Sequence, residues 1–402
     1  MLPTTARQTM RQDLKNISAR VSSIAPFHVM RLLERAKQLE SQGHQVIHME
    51  VGEPDFQTPA PIVDAGIAAL KGGQTFYTPA PGLPELRQQI AAFYLERYQA
   101  TVVPERIFVT PGASGALLLA LSLTMDAGQE VLLPDPGYPC NKHFIELLSG
   151  SARAISIANH PKKKLMPEHI RSHWRNNTCA ALVASPANPT GTTYSVQEIT
   201  DLHLACRENG GVLLLDEIYH GLDYEDNISS ACQVSDDIIV VNSFSKYFGM
   251  TGWRLGWLVV PETLCEMTNR LMQNIFIAAS TPAQYAALSA FQPDTIKVLE
   301  QRRRCFQQRR DYLLPQITEL GFKPLGTPSG AFYLYADCSD LADNSYSLCE
   351  TLLEKYHLAI TPGADFETTS PEKFVRFAYT TDMDKLKIAV ERIRQWKRDT
   401  SE

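Results

Sequence analysis

The segment SFSKYFGMTGWRLGW, Ser243 to Trp257, sets Lys246 just after Ser245, with a second cation, Arg254, eight residues further on. A lysine becomes a nucleophile toward a carbonyl only when its amine is held in place and partly deprotonated. Small hydroxyl residues, a glycine-broken turn and a neighbouring guanidinium surround this one. That setting suits a Schiff-base lysine whose cofactor carries a phosphate. Taken singly, a lysine at a loop-to-helix junction is far more often a solvated side chain.

Three further segments supply complementary chemistry. VTPGASGALLLALSL, from Val109, has the pattern of a strand, a small-residue turn and a helix. Backbone N–H groups and the helix dipole make such a helix start an anion site, and Gly112, Ala113 and Ser114 allow close approach, with the Ser114 hydroxyl as a further donor. Many strand–glycine–helix turns bind nothing, so this one gains its meaning from Arg254. Asp216 directly follows the apolar run Val212–Leu215, where an unpaired carboxylate is costly to bury. Its ordinary alternative is a strand-end acid facing water or capping a helix. Arg376 lies within the apolar strand FVRFAY, and a planar guanidinium there can hold a carboxylate through two parallel hydrogen bonds. A lone strand arginine is otherwise best read as one half of a structural ion pair.

Eight motifs now stand in order along the chain: GEPDFQTP (Gly52–Pro59), FYTPAPGLPELR (Phe76–Arg87), VTPGASGAL (Val109–Leu117), PDPGYP (Pro134–Pro139), SPANPTG (Ser185–Gly191), LLLDEIY (Leu213–Tyr219), the lysine segment and FVRFAYT (Phe374–Thr380). From about Ile47 to about Arg376 the chain resembles the fold-type I pyridoxal-phosphate enzymes, and within them the class I/II aminotransferases. The resemblance implies a homodimer that moves an amino group between an L-amino acid and a 2-oxo acid by a ping-pong route. It implies that Lys246 forms the Schiff base and then carries the proton. Asp216 keeps the pyridine nitrogen protonated, without which the ring is a poor electron sink. Tyr219 and Asn188 meet the phenolic oxygen of the ring, and Tyr138 stacks on its face. Ser243 and Arg254 join Gly112, Ala113 and Ser114 around the phosphate, and Tyr77 of the partner subunit reaches it. Arg376, helped by Asn188 and the Gly52 backbone, takes the substrate carboxylate. Singly, Asn188 before Pro189 fits an ordinary turn, and tyrosines like Tyr138 are common in cores.

The chain departs from the family pattern at three places. Ala113 stands where a second glycine is frequent, a small change because the position supplies a backbone N–H. Ala187 replaces a common asparagine. Asp365 and Glu367, in TPGADFE, stand where a small residue and a glycine are usual, in a loop near the substrate mouth of the family.

With 402 residues the chain is long enough for two domains with substantial cores. Lys and Arg total 38 against 44 Asp and Glu, a formal charge of −6, which argues against nucleic acid or an anionic membrane as partner. The eight cysteines are scattered without a CxxC pair and fit free thiols in a reducing, cytoplasmic compartment. His220 and the other histidines show no ligand spacing, so no metal is assigned. No apolar h-region marks the first thirty residues as a secretory signal, and runs such as Asp237–Asn242 are too short to span a bilayer.

RIFVTPG, EVLLPDPGY, CAALVASPANPTG, GVLLLDEIY and DIIVVNSFSK each place a near-continuous apolar run before a polar or glycine-rich loop. Helical stretches at 113–125 and 196–209 lie between them. Strands without in/out alternation, separated by helices, predict an α/β fold with a mostly parallel sheet covered on both faces, whose ligands bind at the carboxyl ends of the strands. A helix is predicted from Pro26 to Gly43, then a short strand in VIHMEVGEP. Beyond about Ala290 a long basic helix, expected to present a solvated face, precedes short strands (GAFYLYAD, KFVRFAYT) and helices at 347–356 and 383–396. The expected division is an N-terminal arm (1–25), a first part of a smaller α/β domain (26–55), a large cofactor-binding domain (56–289) and the remainder of the small domain (290–402). Two other functions fit parts of the pattern. One is a lyase on the same scaffold, such as a cysteine-S-conjugate β-lyase or an aminocyclopropane-carboxylate-type synthase. The other is a ligand-sensing domain of a transcription regulator, disfavoured by the negative charge and by the lack of a helix-turn-helix before residue 25.

Overall fold

The computed structural model describes residues 18, 24, 27–158, 160–225 and 229–401. The expected N-terminal arm, apart from Ser18 and Ile24, lies outside them. Strand β1 (Ile47–His48) is followed by β2 (Ile107–Thr110), β3 (Glu130–Asp135), β4 (Ser151–Ser156), β5 (Thr178–Ala184), β6 (Val212–Asp216), β7 (Ile239–Ser243) and β8 (Gly256–Val259). Strands β2 to β8 form one sheet in the order β2-β8-β7-β6-β5-β3-β4, and within it only β8 runs antiparallel to its neighbours.

Both faces of this sheet are covered, as the unbroken apolar runs predict. Leu213, Leu215 and Val240 enter one core, while Leu214, Ile239 and Val241 enter the core on the opposite face. Two strands of this sheet escaped the sequence reading. β4 is the sheet edge and mostly uncovered, so SARAIS has no buried apolar run. β8 is four residues long and starts at Gly256, the last glycine of the lysine segment.

The remaining strands are β9 (Lys323–Pro324), β10 (Tyr333–Asp337), β11 (Leu358–Ala359), β12 (Thr361–Pro362) and β13 (Phe374–Ala378). They give an antiparallel sheet β12-β13-β10-β9 and a parallel pair of β1 with β11. The helix His28–Ser41 belongs with this second unit: its Leu32, Ala36 and Leu39 pack with Val46, Leu353 and Ala359. Sequence and structure agree on its end, where Gly43 takes the left-handed φ of +94° that favours glycine.

The long basic helix, Pro293–Glu319, has the expected solvated face and also buries one of its arginines. Its outer face is solvated at Arg304 and Gln308, but Arg309 is only 6 % exposed. The fork of its guanidinium closes on both oxygens of Asp55, at 2.7 and 2.9 Å, and its plane lies against Phe56 and Phe306. Delocalised charge and flat shape let an arginine be buried this way, where the count of basic residues alone suggests solvent. The pair ties the helix to the GEPDF segment, which enters the cavity described next.

Candidate active site

The carboxyl ends of β5, β6 and β7 open onto a cavity of about 430 Å³. Gly52, Ala113, Ser114, Tyr138, Asn188, Asp216, Tyr219, Lys246, Arg254 and Arg376 all line it. These come from segments spread over most of the chain, and the fold gathers them at one end of the sheet, where an open α/β sheet holds ligands.

Lys246 arrives there because β7 and β8 are antiparallel neighbours. Ser243 pairs with Gly256, so the intervening segment loops over the sheet end and returns, bringing Lys246 and Arg254 to the same place. Gly256 makes the return possible: a Cβ there would lie 2.7 Å from the Gly112 carbonyl carbon and 2.8 Å from the Ala113 nitrogen. Hence the start of the helix Gly112–Thr124 sits directly against β8. Gly112 has a φ of +70°, and a Cβ on it would come 2.6 Å from the Arg254 guanidinium. A helix N-terminus with an arginine beside it is a site for an anion of phosphate size.

The Lys246 amine is half-buried and donates to the Gly52 carbonyl at 2.6 Å. Desolvation lowers its pKa to about 8, and the Arg376 and Arg254 charges push the same way against the opposing pull of Glu53. Asp216, 4 % exposed, has its pKa raised by burial to about 6, restrained by the Ile218 N–H and by Lys246. Both shifts run toward the uncharged forms, the direction that burial favours. A cationic partner would lower the Asp216 carboxyl again.

Arg376, on β13, is 4 % exposed and held between two rings, with Tyr333 at 4.4 Å and Phe366 at 4.5 Å from the guanidinium carbon. Its Nη1 donates to Asn188 Oδ1 at 3.1 Å and its Nη2 to the Glu50 carbonyl at 2.5 Å. Its Nε is buried without a partner, which leaves a donor for an incoming carboxylate. The Tyr219 hydroxyl meets that of Tyr333 at 2.9 Å.

Three sequence-predicted residues do not line the cavity: Gly112, at the helix start beside Arg254, Ser243 and Tyr77. Ser243 is 1 % exposed, and its hydroxyl turns to Ser245 Oγ and the Leu255 carbonyl; Ser245 lines the cavity instead. Tyr77 is 80 % exposed, next to Phe76 at 83 %, and does not line this chain's cavity. The sequence reading passed over Tyr333, Glu53, Ser245 and the apolar residues Phe27, Val29 and Met30, all of which line it. Tyr333 leaves its signal at Gly52, where a Cβ would fall 1.9 Å from the tyrosine oxygen. Asp365 and Glu367 acquire definite partners. Asp365 accepts from the His28 and Val29 N–H groups, each at 2.9 Å. Glu367 is buried, its carboxyl raised to about 7 by desolvation and by the Asp135 charge. Among the described residues no cluster of His, Cys, Asp and Glu could hold a metal ion, and no helix is long and apolar enough to cross a membrane.

Comparison with known proteins gives one consistent answer. The family model described as aminotransferase class I and II matches residues 44–393. The (5-formylfuran-3-yl)methyl phosphate transaminase of Methanocaldococcus jannaschii is 35% identical, covering 94% of this chain and 99% of its own length. The valine–pyruvate aminotransferase of Mycobacterium tuberculosis is also 35% identical, over 93% and 97%. The crystal structure of an aminotransferase from Mycobacterium tuberculosis superposes with a TM-score of 0.92 at 34% identity, covering 96% of this chain and 100% of that one. With a half-buried lysine, a strand-end carboxylate and a clamped arginine in one cavity and a family match across most of its length, the chain belongs to the class I and II aminotransferases.

Proposed function

We propose that this aminotransferase binds pyridoxal phosphate through the residues of the cavity and works as a cytoplasmic homodimer on an L-amino acid and a 2-oxo acid. The observation that carries the reading is the Lys246 amine, with a pKa near 8, in the same cavity as Asp216, Arg376 and the helix start beside Arg254. The cavity fits the cofactor chemically. The Gly112–Gly256 cradle and Arg254 suit its phosphate, Asp216 suits its pyridine nitrogen, and Lys246 is the amine that its aldehyde requires. Bound there, the cofactor supplies an electron sink for the bond-breaking at the substrate Cα.

The protein's own groups do the rest. The Arg376 guanidinium, fixed between two rings and by Asn188, orients the substrate carboxylate through paired charge-assisted bonds. Lys246 Nζ, its pKa lowered toward 8 by burial, removes the proton from Cα and returns it, as general base and then acid. Asp216 would keep a proton at the ring nitrogen of the bound cofactor, and Tyr219, with its partner Tyr333, and Asn188 would offer polar atoms to its phenolic oxygen. The large sheet carries Lys246 and Asp216 while the smaller unit carries Arg376, consistent with a two-domain enzyme divided near residues 55 and 290. The eight thiols, free in the structure, agree with a reducing compartment.

The homodimer rests on Phe76 and Tyr77, large apolar rings left uncovered on a single chain. Mixing Tyr77→Phe and Lys246→Ala subunits is expected to restore one intact site per hybrid, with the other doubly damaged. Hybrids no more active than the separate parents, despite proven mixing, contradict the shared site.

Transamination is tested by supplying an amino acid with no oxo-acid acceptor. About one oxo acid per site should form before turnover stops, since each cofactor aldehyde is consumed once. Continuous release of ammonia and an oxo acid contradicts the reading. The state of Lys246 gives an independent check. Capture of free pyridoxal by cofactor-free protein should accelerate about tenfold per pH unit while the amine is mostly protonated, and level off above about pH 8, where it is mostly free. A rate still climbing toward the ordinary lysine value of 10.5 contradicts the desolvated amine.

A further inference from the structure

The helix His28–Ser41 begins without a cap of its own. Phe27 stands at the N-cap with no side-chain acceptor, and the first turn carries no acid. A helix start leaves four backbone N–H groups without intrahelical partners, and a Ser, Thr, Asp or Asn normally serves them from the N-cap. Here the acceptor comes from the other end of the chain. Asp365 Oδ1 takes the N–H of His28, 337 residues earlier in the chain, and Oδ2 takes the Val29 N–H, both at 2.9 Å. The aspartate is 8 % exposed, so its charge interacts with the helix start in a poorly solvated setting.

The turn that carries Asp365 also leads directly into Phe366, which packs against Arg376 of the cavity. Gly363–Asp365 is one tight turn, and a Cβ on Gly363 would lie 2.6 Å from the Pro371 carbonyl oxygen and 2.9 Å from that of Phe374, so the turn is seated against β13. The next residue, Phe366, is one of the two rings that clasp Arg376. Its carbonyl accepts the Gly137 N–H at 2.9 Å, beside Tyr138. One short segment therefore registers the helix start against the guanidinium.

What the helix start brings is apolar. Phe27, Val29 and Met30 line the same cavity as Lys246 and Arg376, joined there by Val51 and Tyr333. Met30 is left 55 % exposed. Among the described lining residues the cations are Lys246, Arg254 and Arg376, all engaged by the proposed reaction, and Glu53 adds a negative charge. A second substrate carboxylate meets no spare cation among them, whereas a hydrocarbon side chain meets hydrocarbon.

We infer that Asp365 is a positioning residue for substrate choice: by capping the helix it holds the Phe27–Val29–Met30 wall over the cavity, and the favoured amino donors carry apolar side chains. The inference rests on the proposed transamination and deepens it. Deeper in the helix, Leu32, Ala36 and Leu39 keep their own packing with Val46, Leu353 and Ala359, so loss of the cap loosens the wall and leaves the helix docked.

The test compares kcat/KM for leucine and for alanine in the parent, Asp365→Ala and Asp365→Asn. It also follows amide hydrogen exchange in the peptide that begins at Phe27. A hydrocarbon wall discriminates between side chains by roughly tenfold or more, so the leucine-to-alanine ratio should fall about tenfold in Asp365→Ala, chiefly through KM for leucine. Asp365→Asn, which keeps one acceptor oxygen, should fall between the two. Exchange at residues 28 and 29 should quicken while the sheet strands keep their protection. A ratio within about twofold of the parent, or unaltered exchange, overturns the inference. If Asp365→Ala does not fold, Met30→Ser at the exposed wall must lower the same ratio, and an unmoved ratio there overturns it equally. A parent that prefers aspartate to leucine overturns the apolar preference. A parent that turns over no donor defeats transamination and this inference together, whereas an active parent with an unmoved ratio defeats the inference alone.

Discussion

The backbone from Met49 to Asp55 is the constraint on which the rest depends, because three separate parts of the structure around the cavity are fastened to it. The Met49 carbonyl accepts from Ala378, the Glu50 carbonyl from Arg376 and Thr361, and the Val51 carbonyl from Thr380. The Gly52 carbonyl accepts from Lys246, Glu53 from Thr251, and Asp55 from Arg309. The small sheet, the lysine segment and the long basic helix thus hang on seven consecutive residues. Tyr333 fills the space where any other residue at position 52 would place its Cβ, so the glycine is dictated by packing as much as by chemistry. Shifting this segment by an ångström would displace Lys246 and Arg376 together, and reaction geometry tolerates little of that.

Desolvation does the chemical tuning. Removing Lys246 and Asp216 from water drives the first toward a free amine and the second toward a neutral acid. A nucleophile and its electrostatic counterpart with pKa values drawn toward pH 7 is a recurrent signature of an active site. The two lie at the ends of adjacent strands, β7 and β6, so the sheet sets their relative position. Burial elsewhere produces shifted groups with no catalytic use. Glu217, within the large core, is raised to about 8 by burial and is satisfied by Ser230 and the Ala231 N–H.

Much of this was legible in the sequence. The five apolar runs named five of the six strands that share one direction because strands buried on both faces cannot alternate, and several candidate site residues stand at their ends because each run stops at a polar residue. Lys246, Asp216, Asn188 and Arg376 were all recovered in one cavity. What sequence could not supply were contacts between distant segments. Arg309 looks solvated until Asp55 is placed opposite it. Asp365 looks like an anomaly in a mouth loop until the uncapped helix start is set beside it. β4 and β8 were missed because one is an exposed edge and the other is short, and neither leaves an apolar run. Ser243 was assigned to the phosphate by resemblance, whereas its hydroxyl faces Ser245 and Leu255.

The account stands on Lys246 as the amine that takes up the cofactor. Protein purified with pyridoxal phosphate, reduced with borohydride, digested and mapped by mass spectrometry tests this most directly. A single stable adduct is expected on the peptide that contains Lys246. An adduct on another lysine, with Lys246 recovered unmodified, would contradict it.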